Sequence, residues 1–304
     1  MSSRWIAYLY LLLAMLGAGS TVVVSKLVSA SLPPFTATAI RFGMALPLFV
    51  LLLRWRRADW PRLCRHDWLI LILQAGAGSV GYTVLLLAGV RLSTAASASV
   101  MMGTLPAVSS LLALLLFGEG WRWRQGLALL LCSAGALTVS LPAGATWSFR
   151  SAGELAGNGL ILLAVACEAL FILLNRRLRQ PLPPLVLSCY LCALALLLAL
   201  PAAALEWQGS WQVSAAALLG LAYYALVPTV LGFVLWYAGA ARVAASEAAL
   251  FTAVMPVSAL LFAAVLLREE IRLSQLAGMV CVLTALSLQL WPARRRSAAT
   301  GQSG

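Results

Sequence analysis

Residues Val80–Glu119 read VGYTVLLLAGVRLSTAASASVMMGTLPAVSSLLALLLFGE, and residues Leu231–Glu270 read LGFVLWYAGAARVAASEAALFTAVMPVSALLFAAVLLREE. The second stretch repeats the first. Ala88–Gly89 return as Ala238–Gly239, Pro106 as Pro256, Glu119 as Glu269 and Gln125 as Gln275, each 150 positions on. Upstream of the quoted stretches, Pro33–Pro34 return as Pro183–Pro184 at the same offset. The apolar runs between these markers recur in step, so the chain is one unit written twice. Each unit holds an odd number of membrane-length runs. The second copy must therefore enter a membrane upside down, a common arrangement in secondary transporters.

Composition identifies the solvent. Of 304 residues, 62% are apolar and 10% charged, and the mean hydropathy is +0.96. Too little charge remains to cover a water-soluble surface, so each apolar run is measured against the roughly 20 residues a helix needs to cross lipid. Ten runs are long enough. Eight are free of charge: Trp5–Ser25, Trp68–Val90, Leu92–Gly118, Gln125–Phe149, Pro181–Leu205, Ala215–Ala241, Ala248–Leu267 and Leu273–Ala293. The other two carry one charge each, Phe35–Leu53 with Arg41 and Ala156–Leu174 with Glu168. The runs are continuous rather than alternating, which excludes a transmembrane β-barrel. The expected fold is an all-α integral membrane protein with ten transmembrane helices in two inverted five-helix repeats. Residues 1–145 form the first repeat, 150–292 the second and 293–304 a short cytoplasmic tail. Arg4 and the apolar stretch after it resemble a signal peptide, but the run is long for one and has a counterpart at Ala156–Leu174.

The net charge of +12 has a topological origin. With the N-terminus inside, fifteen basic residues face the cytoplasm: Arg4, the Arg54–Arg65 loop group, Arg122, Arg124, Arg176, Arg177, Arg179, Arg242 and Arg294–Arg296. Five face outward: Lys26, Arg91, Arg150, Arg268 and Arg272. This positive-inside bias predicts two cytoplasmic termini and basic loops facing lipid headgroups rather than nucleic acid. Ten of the eleven tryptophans fall near span ends, as an aromatic belt places them; Trp236 lies well inside its span. The Cys189–Cys192 pair shares a helix face and reads as small packing residues, with no second pair to complete a metal site. His66 reads as a solvated loop residue.

Ionisable groups inside lipid are costly and are functional candidates by default. Arg41 cannot shed its charge. Glu168 can, by taking a proton, which makes it a candidate for proton coupling or for holding a substrate ammonium. An ion pair between the two is the structural alternative. Trp236, Tyr237 and Tyr82 offer rings for stacking and cation–π contact, with Tyr223–Tyr224 nearby. Gln74 is a lone intramembrane amide. Pro106 and Pro256 sit mid-span, where they must kink or break a helix, at matching places in the two halves. Glu247, near the start of the ninth span, is expected either to enter the cavity or to stay at its cytoplasmic mouth. Glu119 and Glu269 are expected to cap span ends and pair with Arg122, Arg268 or Arg272.

The two quoted stretches closely resemble the EamA family of the drug/metabolite transporter superfamily. The marks are an aromatic-rich span, a turn with a basic residue, a small-residue helix, a Pro, an apolar run and a terminal Glu. In the first span Gly19, Ser20 and Lys26 follow the family pattern, while Ala18 and Thr21 replace its Trp and Asn. Arg41 matches the Arg that members often place in the second span. The resemblance implies a central cavity between the halves and a bacterial cytoplasmic (inner) membrane location. It also implies alternating-access transport of a small molecule, with export favoured over import. No cofactor is implied, and no ATP-binding motif is present, so a gradient must drive any uphill transport. The aromatics and Glu168 suit a cationic or zwitterionic cargo, an amino acid or an amino-acid-derived opine metallophore. A sugar or nucleotide-sugar carrier, a membrane enzyme and a non-transporting scaffold are the competing readings.

Overall fold

The computed structural model describes residues 3–57, 60–118, 123–140, 152–206, 213–243, 248 and 251–290. These residues form helices joined by short turns. The helices are α1 (Ser3–Ser29), α2 (Pro34–Arg56), α3 (Arg65–Leu92), α4 (Ala95–Met102), α5 (Leu105–Phe117) and α6 (Trp123–Ser140). The second half supplies α7 (Ala152–Asn175), α8 (Pro184–Leu205), α9 (Ala215–Ala240), α10 (Val254–Leu266) and α11 (Leu273–Leu290).

Among the described residues, six helices are long and apolar enough to cross a membrane: α1, α2, α3, α7, α8 and α9. Helices α4 and α5 meet the same length and hydropathy test only as a pair, bent by 46° at Gly103–Thr104. The shorter apolar segments Gln125–Val139, Val254–Leu266 and Leu273–Leu288 occupy the places of the remaining three expected spans. The chain is an all-α, multi-pass membrane protein.

Local signals explain the boundaries. Pro34 and Pro184 are the first residues of α2 and α8, where a missing N–H costs nothing and a fixed φ helps. Thr94 caps α4 by accepting from Ser97 N at 3.0 Å, and Ser214 caps α9 by accepting from Ala217 N at 3.2 Å. Helix α5 ends at Gly118 with φ 64°, and its repeat counterpart Arg268 closes α10 with φ 54°. The left-handed stop that glycine adopts freely is thus preserved even where the repeat carries an arginine.

The repeat is also visible in packing. Helix α2 lies along α8, and α6 along α11, each pairing equivalent elements of the two halves. Helix α1 packs on α9 and α10, while α7 packs on α3 and α5, which is the same arrangement with the halves exchanged. Small residues set these contacts, because packing rather than hydrophobicity joins helices in lipid. A Cβ on Gly89 would lie 2.6 Å from Ile161 Cγ1 and 2.9 Å from Gly157 O. A Cβ on Gly239 would lie 2.8 Å from Leu11 Cγ and 3.0 Å from Ala7 O. These are equivalent contacts, 150 residues apart. In the α6–α11 pair, Gly135 and Gly278 each face the other's carbonyl, 2.9 Å from where a Cβ would stand.

Two features were not expected from the sequence. Within α3 the segment Ala75–Gly81 winds as a π-helix, and within α9 the segment Ala225–Leu231 does the same. The two are again 150 residues apart, and Pro228 lies inside the second. The broken span also differs in detail from the expectation. The break falls at Gly103–Thr104, and Pro106 sits in the first turn of the following helix, where proline is tolerated. Pro256 is the third residue of α10, equally within a first turn.

Candidate functional site

Gly78 and Ser79 of the first π segment and Pro228 and Thr229 of the second line a cavity of about 490 Å³ between the halves. Arg41, Gln74, Tyr82, Pro106, Glu168, Trp236, Tyr237 and Pro256 all line it. The helices that deliver them come from both repeats, so the site exists only when the two halves are assembled.

Arg41 is the best-defined group. Its Nη1 donates to Thr83 Oγ1 at 3.0 Å, and its Nε and Nη2 donate to Thr229 Oγ1 at 3.1 and 3.0 Å. The carbon of the guanidinium stands 3.8 Å above the centre of the Tyr224 ring and 4.9 Å from that of Phe42. Cation–π contact of this kind is worth more where water is excluded. The two threonines are themselves oriented. Thr83 donates to Ser79 O at 2.6 Å, and Thr229 donates to Tyr224 O, five residues back, at 2.8 Å. The latter carbonyl precedes the π segment, whose wider turn places Thr229 on the cavity side. A charge that cannot be lost is therefore held by hydroxyls from α3 and α9, one helix from each repeat, and by the rings of Tyr224 and Phe42.

Glu168 sits on α7 in the same cavity. Its charge is close enough to interact with that of Arg41, yet among the described residues the two make no ion pair. The guanidinium is instead taken up by Thr83, Thr229 and Tyr224. This sets aside the direct Arg41–Glu168 pair as a structural staple and leaves the carboxylate facing the cavity.

The remaining candidates form the walls. Tyr82 Oη is 3.9 Å from Met102 Sδ. The Gln74 amide is fully buried and donates to Phe171 O at 3.1 Å; Phe171 packs so tightly on Gly78 that a Cβ there would overlap its ring. Tyr237 stacks with Phe233 at 6.1 Å between ring centres. Met15, Met102 and Met255 complete much of the apolar lining.

Other expectations fare differently. The Glu269 carboxylate does cap a helix, but it is α4, through Ala95 N at 3.1 Å and Ala96 N at 2.9 Å. Among the described residues it makes no ion pair with Arg268 or Arg272, because the exposed N–H groups of a helix terminus are the nearer partner. Glu119, Arg122 and Glu247 lie outside the described residues. Cys189 and Cys192 are buried and unbridged, and Cys192 Sγ contacts Phe42 O at 3.4 Å, as packing residues would. His66 is paired with Asp67 at 3.4 Å and does not reach the cavity.

Reading the sequence by charge found Arg41 and Glu168 but missed Thr83, Thr229 and Ser79. Threonine and serine are ordinary inside membrane helices, so composition carries no signal for them. The one available clue was the repeat itself, which sets Ser79 opposite Thr229 at the offset of 150.

Comparison with known proteins agrees with this architecture. The model of the EamA-like transporter family matches residues 5–141 and again residues 155–291. The chain is 32% identical over 280 residues to the "Uncharacterized transporter YetK" of Bacillus subtilis (strain 168), covering 91% of this chain and 84% of that protein. It is 22% identical over 285 residues to the "Uncharacterized transporter YyaM" of the same organism, covering 91% and 90%. A solved structure described as "Crystal structure of protein" shares the fold, with a TM-score of 0.65 at 18% identity, over 94% of this chain and 97% of that one.

Proposed function

This chain belongs to the EamA-like transporter family, and from that premise we propose that it exports a small zwitterionic, amino-acid-like metabolite by alternating access. Two features of the cavity support this reading: its anchored cation, and its carboxylate left unpaired with that cation. A cavity of about 490 Å³ lies within the range of small-molecule sites, about 300–1,000 Å³. Three of the five N–H groups of Arg41 are committed to Thr83 and Thr229, which leaves two for a carboxylate. Glu168 then receives the ammonium. An opine-type metallophore, which also carries amino-acid carboxylates and amines, fits the same pair of poles.

Glu168 also offers a route to coupling. A carboxylate can hold either a proton or the cargo's ammonium, but not both. When the cavity opens to a less acidic cytoplasm, the ionised form prevails and binds cargo. When it opens to a more acidic exterior, protonation neutralises the group and the cargo's ammonium loses its partner. The proton then travels inward on the return step. Export against a gradient follows from this competition alone, without ATP.

The experiment is counterflow in proteoliposomes with a panel of free amino acids, each tested beside its N-acetyl and its carboxamide derivative. At least one free zwitterion should exchange, and both of its blocked forms should fail, because each lacks one pole. Equal transport of the blocked forms would contradict the two-pole site. With the active zwitterion as cargo, Glu168→Gln should abolish proton-driven accumulation and its pH dependence while the protein remains folded in the bilayer. Undiminished proton-driven accumulation in that variant would remove Glu168 from coupling.

A further inference from the structure

The cavity is closed at one end and open at the other. Toward the open end its lining includes the exposed Asn175, at the last residue of α7. Beyond the other end, Val22, Leu86, Val90, Ala95, Ala98 and Ile161 are fully buried in one apolar cluster. The packing is asymmetric in the same sense. Helix α1 packs along Tyr82–Leu92, the second half of α3. Its repeat counterpart, α7 against the second half of α9, makes no comparable contact among the described residues.

At the rim of the closed end lies a polar cluster that the binding cavity does not use. The Lys26 ammonium, near the end of α1, donates to the carbonyls of Val90 and Ser93, in and just after the last turn of α3. The Glu269 carboxylate, after α10, accepts the first two N–H groups of α4. A helix C-terminus is the negative end of its dipole and an N-terminus the positive end. The cation is therefore on the negative pole and the anion on the positive pole of one turn, the one that joins α3 to α4. Lys26 and Glu269 also lie close enough for their charges to act on each other. The same turn is held by Ser93 Oγ, which donates to Asn158 Oδ1 of α7 at 2.6 Å, and by the Gln275 amide of α11, 3.3 Å from Ser97 Oγ.

We propose that Lys26 and Glu269 form a latch that holds the cavity shut at this face, and that they set the balance between its two open states. The cluster ties α1, the α3–α4 turn and the start of the α10–α11 connection into one piece. Opening this end requires those elements to part, so both charges must leave their helix poles. None of these bonds bears on the other end of the cavity, so weakening them favours one state over the other. The latch is independent of which cargo is carried.

The test uses protein in nanodiscs, without cargo, with the six native cysteines replaced and one cysteine introduced as a reporter. Ala98→Cys reports the closed end and Asn175→Cys the open end, by their rates of reaction with a maleimide. In the parent protein, Asn175→Cys should react fast and Ala98→Cys slowly. Glu269→Gln should raise the Ala98→Cys rate about tenfold, given the strength of charges on helix poles, and lower the Asn175→Cys rate. Lys26→Gln should act in the same direction and serves as the working variant if Glu269→Gln does not elute as a single species. Unchanged rates in both variants would overturn the latch. So would a rise at both ends, because that marks a loosened fold rather than a shifted equilibrium.

Discussion

Arg41 shows how a costly residue is made tolerable and useful at once. Its charge is permanent, so the protein supplies two hydroxyls and two aromatic faces. Thr229 carries two of the three hydrogen bonds, and hydrogen bonds to charged groups contribute about 1.5–3 kcal/mol. Thr229→Val should accordingly weaken cargo binding by about tenfold to a hundredfold, measured as the concentration for half-maximal counterflow. Thr229→Ser keeps the hydroxyl and should recover most of it. A wild-type response in Thr229→Val would mean that Arg41 is positioned by something else. The sequence exposed Arg41 and Glu168 because a charge in an apolar run stands out against its surroundings. It hid Thr83 and Thr229 because their importance comes from which way a helix turns, a property set by the π segments and not by residue type.

At the scale of elements, the repeat explains why those π segments sit where they do. A π turn inserts one residue into a helix and re-aims the side chains that follow, and such turns concentrate at functional sites. Here the two segments bring Ser79 and Thr229 into the lining of one cavity, beside Arg41. Apolar run length located the helices, but the run expected from Pro181 becomes helical only at Pro184, and the segments at Gln125, Val254 and Leu273 are shorter than the runs that announced them. The break in the α4–α5 passage was legible from Pro106, though it falls two residues earlier than the proline. Gly89 and Gly239 stood out in the sequence as repeat markers, and the structure shows what they do. Gly89 and Gly239 occupy equivalent close approaches, with no room for a Cβ. Gly89→Leu and Gly239→Leu should each reduce folded protein in the membrane severalfold, read by fluorescence-detected size exclusion. Gly159, which faces open space, is the control and should accept leucine. Normal yields for the first two variants would contradict the packing described.

For the whole molecule, the two halves are related by an exchange that keeps α2 with α8 and α6 with α11 while swapping the partners of α1 and α7. An assembly of this kind can be closed at one end or the other with the same set of contacts, used in turn by different copies. That is the physical basis of alternating access in inverted repeats, and it gives the latch at Lys26 and Glu269 its meaning. The repeat was legible in the sequence as an offset of 150, and the family model matches each copy in turn. Which end stands open was not legible, since two equivalent ends look alike to a repeated sequence and differ only in packing. The central claim is inversion, and repeat-related loop positions test it directly. Ser31 lies between α1 and α2, and its counterpart Pro181 between α7 and α8. In a cysteine-free background, Ser31→Cys and Pro181→Cys are exposed in turn to a membrane-impermeant maleimide on intact cells. Ser31→Cys should react from outside, while Pro181→Cys should react only after the membrane is permeabilised. Reaction of both from the same side would contradict inversion.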